Sequence, residues 1–96
     1  MGKTLIKWQL NLQSIPQDPK ERTELYINMM NRIKADIENG TLSKWGIYMD
    51  GSGGYAISKL GPQDIYAMVL KWSPYVSFDS KPVLNADQVL EILKKQ

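Results

Sequence analysis

The chain has 96 residues, 12 of them basic and 10 acidic, for a net charge of +2, and it contains neither cysteine nor histidine. That length fits a single domain spanning residues 1–96. The missing residue types exclude disulfides, thiolate nucleophiles, Cys- or His-based metal sites and the commonest general base near neutral pH.

Residues Lys3 to Leu12 alternate, with Ile6, Trp8, Leu10 and Leu12 on one side and Lys7, Gln9 and Asn11 on the other. Period two with one polar face predicts a half-buried strand. Asp18-Pro19 opens a helix, with Asp18 as N-cap, Pro19 as first helical residue and Glu21 as capping-box partner. Leu25, Met29, Ile33 and Ile37 recur every four residues, flanked by Tyr26 and Met30, and Asn39-Gly40 ends the helix. Leu42 to Met49 reads as a second strand with Trp45, Ile47 and Met49 on one face. A glycine-rich turn, Asp50 to Gly54, leads into a third strand from Tyr55 to Leu60. Gly61-Pro62 opens a second helix with Ile65, Met68, Val69 and Trp72 on its apolar side, and Ser73-Pro74 closes it. Tyr75 to Val83 alternates again. Asn85 with Gln88 caps a last helix whose expected core contacts are Val89, Ile92 and Leu93.

Strand, helix, strand, strand, helix, strand is the order of an α+β, ferredoxin-like βαββαβ domain. It predicts a four-stranded antiparallel sheet, two helices on one face and an extra C-terminal helix. The other sheet face is then open. It carries Lys7, Gln9, Asn11, Ser77, Asp79 and Lys81, and, with small Ala56 and Ser58 turned to the helices, also Tyr55, Ile57 and Lys59. Tyr48 and Tyr75 join it. A mixed apolar and polar face of this kind is expected to pair with a second copy of the chain.

The stretch Ala67-Met68-Val69-Leu70-Lys71-Trp72-Ser73, then Val76-Ser77-Phe78-Asp79 and Pro82-Val83-Leu84-Asn85, resembles the DUF3303 family of small uncharacterised prokaryotic proteins. Lys44-Trp45 before a glycine-rich turn fits the same pattern. The resemblance implies a ferredoxin-like fold of the dimeric α+β barrel type and no particular activity. Where members often carry a polar residue, frequently histidine, after the second-strand tryptophan, this chain has Gly46.

The chemical candidates are few. Gly51-Ser52-Gly53-Gly54 lacks the Lys-Ser/Thr and the following helix of a phosphate loop and reads as a turn. The sheet lacks the aromatic signature of an RNA-recognition surface, and the weak charge argues against a nucleic-acid partner. No catalytic residue, metal site or cofactor is assigned. The polar set expected to converge is Gln9, Asn11, Tyr48, Tyr55, Lys59, Asp79 and Lys81, as a pocket for a small molecule or as solvated side chains at a dimer interface. No apolar run approaches the roughly 20 residues needed to span a bilayer, and the N-terminus shows no export leader, so a cytoplasmic location is expected. The functional expectation is a homodimeric small-ligand binding or regulatory module. The alternatives are a cofactor-free enzyme of oxygenase or isomerase type, with Asn11 and Lys59 orienting substrate and Asp79 handling protons, and a purely structural assembly subunit.

Overall fold

The computed structural model describes residues 2–96. Its elements are β1 (Lys3–Leu10), α1 (Pro19–Glu38), β2 (Leu42–Ile47), β3 (Gly53–Ser58), α2 (Pro62–Trp72), β4 (Val76–Val83) and α3 (Ala86–Lys94), with a 3-10 turn at Leu12–Ser14 between β1 and α1. The sheet order is β2-β3-β1-β4, antiparallel throughout. This is the ferredoxin-like arrangement with an added C-terminal helix.

Each helix starts where its cap lies. The Asp18 carboxylate accepts the Glu21 backbone N–H at 3.0 Å and Pro19 takes the first turn. At the far end Gly40 adopts φ +85°, a conformation that costs glycine little. In α3 both arms of the capping box form: Asn85 Oδ1 accepts Gln88 N–H, and Gln88 Oε1 accepts Asn85 N–H, each at 2.8 Å.

The core lies between the sheet and the two longer helices. Ile6 and Trp8 from β1, Ala56 from β3 and Val76 from β4 face Met29 and Ile33 of α1 and Ile65 and Trp72 of α2. Ile6 and Ser58 are wholly buried. Ser58 is tolerated there because its hydroxyl donates to the Thr41 carbonyl at 2.7 Å and accepts the Leu60 N–H at 3.1 Å. The register pairs Ile6 with Ala56 and Leu5 with Ile57. Ala56 and Ser58 therefore turn to the helices, and Tyr55 and Ile57 face the open side, as expected from the small size of the former pair.

Two close approaches shape the sheet. Trp8 pairs with Gly54 across β1 and β3. A Cβ at Gly54 would strike the Gly46 carbonyl oxygen and the Trp8 ring. Without it, the indole lies across β3 and stacks on Trp45 of β2, ring centroids 5.5 Å apart and 12° from parallel. On the other face the Tyr55 ring covers Gly46, filling the space a Cβ would need.

Several boundaries differ from the sequence reading. β1 stops at Leu10, and Leu12 falls in the 3-10 turn with its side chain exposed. β2 stops at Ile47, after a register shift between Leu42 and Lys44. Met49 is then a fully exposed loop residue and no member of a buried face. Gly53 and Gly54, expected in the turn, are buried strand residues. Tyr75 precedes β4 and packs against the core instead of standing on the open face.

The largest departure is α3. Its expected core contacts are not made: no Cα of α3 lies within 8 Å of a Cα in another strand or helix. Val89, Leu90, Ile92 and Leu93 remain 42–62% exposed. The helix continues out of edge strand β4, and the molecule measures 58 × 25 × 21 Å. No helix among the described residues is long and apolar enough to cross a membrane.

Gly54 provides the test of this packing. Gly54→Ala inserts a methyl group against backbone and indole together, and overpacking of that kind costs about 1–3 kcal/mol. The expected result is a lowered urea midpoint and disturbed near-ultraviolet dichroism from the Trp8–Trp45 pair. Unchanged dichroism and stability would refute the stacked geometry.

Candidate functional site

The helices close over the outer strands, α1 nearest β2 and α2 nearest β4. Over β1 and β3 they leave an apolar trough of about 500 Å³. Its floor is Ile6, Trp8, Ala56 and Trp45. Tyr26, Met29, Met30 and Ile33 form the α1 wall, and Met68 and Trp72 the α2 wall. These are the apolar stripes that the helical spacing marked, and amphipathic helices bury such stripes against a sheet. Here the burial is incomplete. Tyr26 and Trp45 are only partly covered, and Met30 and Ile47 are exposed along the rim. Three methionines line the cavity, and their unbranched side chains adapt readily to different shapes.

The two walls are tied at one point. The Arg32 guanidinium of α1 lies 4.5 Å from the centroid of the Trp72 ring of α2. Such a contact at an exposed site is worth about 0.5–1 kcal/mol. The floor carries one unsatisfied group: the Nε1–H of Trp8, buried and without an acceptor. A buried donor left unpaired costs about 1–3 kcal/mol.

The polar set foreseen from the sequence lies on the other face of the sheet. Gln9, Tyr48 and Asp79 share a shallow depression of about 390 Å³ with Lys7, Ser52 and Ser77. Lys7 and Asp79 are cross-strand partners there. Tyr55 completes that row as the other cross-strand partner of Lys7, and Lys81 stands on the same face in the next row, paired with Leu5. Lys59 lies beyond the end of β3 and is exposed. Asn11 is committed to the backbone: its Nδ2 donates to the Pro74 carbonyl at 2.8 Å, its Oδ1 accepts the Ser77 hydroxyl at 2.8 Å, and its N–H donates to the Tyr75 carbonyl at 2.9 Å. It fastens the exit of β1 to the entry of β4. The sequence reading weighed a small-molecule pocket between sheet and helices but gave it the polar set; the apolar residues that line the trough were counted as core, and Arg22 and Asp36 were not singled out.

No group of acidic residues suited to a metal ion occurs among the described residues. Asp50 stands in the hairpin at one end of the trough. The Ser52 backbone N–H at 3.0 Å and the Ser52 hydroxyl at 2.7 Å both donate to its Oδ1, and hold its pKa below the ordinary 3.8. A lowered folded-state value means a stabilisation present above the unfolded pKa and lost as the pH falls through the folded one. Asp50→Asn should therefore flatten the acid limb of the stability curve, measured as urea midpoint against pH, and leave the neutral limb's slope unchanged. Asn11→Ala should lower the urea midpoint at every pH, by a loss of about 2 kcal/mol in unfolding free energy for two side-chain hydrogen bonds. An unaltered midpoint would show that the β1–β4 tether is dispensable.

No curated protein matches the chain. The profile of the DUF3303 family, described as a domain of unknown function, matches residues 3–96. That match takes in both helical walls, the whole sheet and α3, and extends the likeness of the second half to the first. The chain therefore belongs to the DUF3303 family, and the trough and the open sheet face are features of this member of it.

Proposed function

We propose that the protein is a homodimeric small-ligand binding or regulatory module that holds a predominantly apolar molecule in the trough between sheet and helices. The observation that carries this reading is the trough's incomplete closure. A 96-residue domain has little core to spare, yet about 500 Å³ lined by Trp, Met, Ile and Phe stays unfilled. Cavities of about 300–1,000 Å³ with mostly hydrophobic and aromatic walls and few polar groups are the usual form of small-molecule sites. The trough's almost wholly apolar lining and the absence of histidine from the chain favour binding over proton-transfer chemistry.

The second copy belongs on the open sheet face. Tyr48 and Tyr55 are exposed there beside Lys7, Asp79 and Lys81, and a two-fold axis through this face would set a lysine of one copy against Asp79 of the other. Packing of the two faces leaves the trough on the outer side of each sheet, free to exchange ligand.

The test uses N-phenylnaphthylamine, a neutral apolar fluorophore. It is expected to bind one per chain with enhanced emission, and Met30→Trp, which fills the trough from an exposed rim position, is expected to reduce that binding at least tenfold. No saturable binding would remove the proposed site. Sedimentation equilibrium tests the pairing: the expected mass is that of two chains, reduced to one by Tyr55→Arg. A single-chain mass at all concentrations would overturn the dimer.

A further inference from the structure

We infer that the ligand class of the trough is a linear monocarboxylate, an unbranched apolar chain lying along α1 with its carboxylate at the Arg22 end. This rests on the binding reading above and adds shape, polarity and a head group to it.

The shape follows from the lining. Arg22 and Asp36 both border the trough and lie 14 positions apart on α1, about 21 Å along a helix axis. A volume of about 500 Å³ extended over such a length is a long, narrow trough and not a round pocket. A flexible chain fills a trough of this kind among methionine side chains better than a rigid ring system does.

The polarity follows from the charges. Among the described residues Arg22 is the only basic one that borders the trough, and it is half-buried. Asp36 stands at the opposite end, where it disfavours an anion. Asp50 borders the Arg22 end and stays ionised, but it is fully exposed and its charge is screened by water, unlike that of half-buried Arg22. A planar guanidinium matches a carboxylate in a two-pronged contact.

The head group follows from the orphan donor. Trp8 is only 9% exposed, lines the trough and has an Nε1–H with no acceptor. It sits near the C-terminal end of β1, the end at which α1 begins and Arg22 lies. A carboxylate oxygen at the Arg22 end would supply the missing acceptor once the indole turns its buried N–H toward the trough.

The experiment compares dodecanoate with its methyl ester, using displacement of N-phenylnaphthylamine and the indole ¹H–¹⁵N resonances. Dodecanoate is expected to displace the fluorophore with one-to-one stoichiometry and to bind at least tenfold more tightly than the ester. It is also expected to move the Trp8 indole resonance downfield. Arg22→Gln should bring dodecanoate to the level of the ester and leave fluorophore binding unchanged. Equal binding of acid and ester, or an unmoved Trp8 resonance, overturns the ligand class while fluorophore binding keeps the site. Dodecanoate binding that appears only in Leu93→Asp means that α3 of a second copy fills the trough, and this also overturns the inference. If neither fluorophore nor dodecanoate binds, the site itself falls.

Discussion

The fold depends on one bare patch of backbone. Gly54 has no side chain, so the indole of Trp8 can cross β3 and reach Trp45 on β2. That stack spans three of the four strands and forms the floor beneath the helices. The helices lie over the outer strands, α1 by β2 and α2 by β4, and the cavity stands between them above the stacked indoles. A protein interior is normally close-packed; here the two walls stand apart, with the Arg32–Trp72 contact joining them at one place.

The two faces of the sheet have different chemistry. The helical face is almost wholly apolar and has one buried donor without a partner. The open face is polar and charged, with aromatic rings lying over glycine backbone. An apolar molecule gains from transfer out of water only on the first face. The second carries Lys7, Asp79 and Lys81 beside the exposed rings of Tyr48 and Tyr55.

Much of the architecture was legible in the residues. Alternation at Ile6, Trp8 and Leu10, the caps at Asp18 and Asn85, and the four-residue spacing of Leu25, Met29 and Ile33 each encode a local element. The small pair Ala56 and Ser58 encodes which side of β3 meets the helices. What was not legible had a common cause. Gly53 and Gly54 look like turn residues because glycine's freedom usually serves turns, whereas here the missing Cβ admits a ring from the next strand. Tyr75 follows the alternation of β4 in sequence but lies one residue before the strand, where parity no longer decides direction. The trough was hidden because a residue lining a cavity and a residue filling a core have the same type and spacing. Only the relative placement of α1 and α2 separates them. The polar residues were visible, yet Asn11 is held by the Pro74 carbonyl and the Ser77 hydroxyl, a use that no local pattern announces.

α3 is capped at its start and touches no other element. A nine-residue helix is shorter than the ~12–15 residues usually needed for stability in water on its own, so its order is weaker than that of α1 or α2 by construction. It also sets the hydrodynamic character of the chain. With one axis of 58 Å against two near 23 Å, a free copy is elongated, and its rotational diffusion is anisotropic.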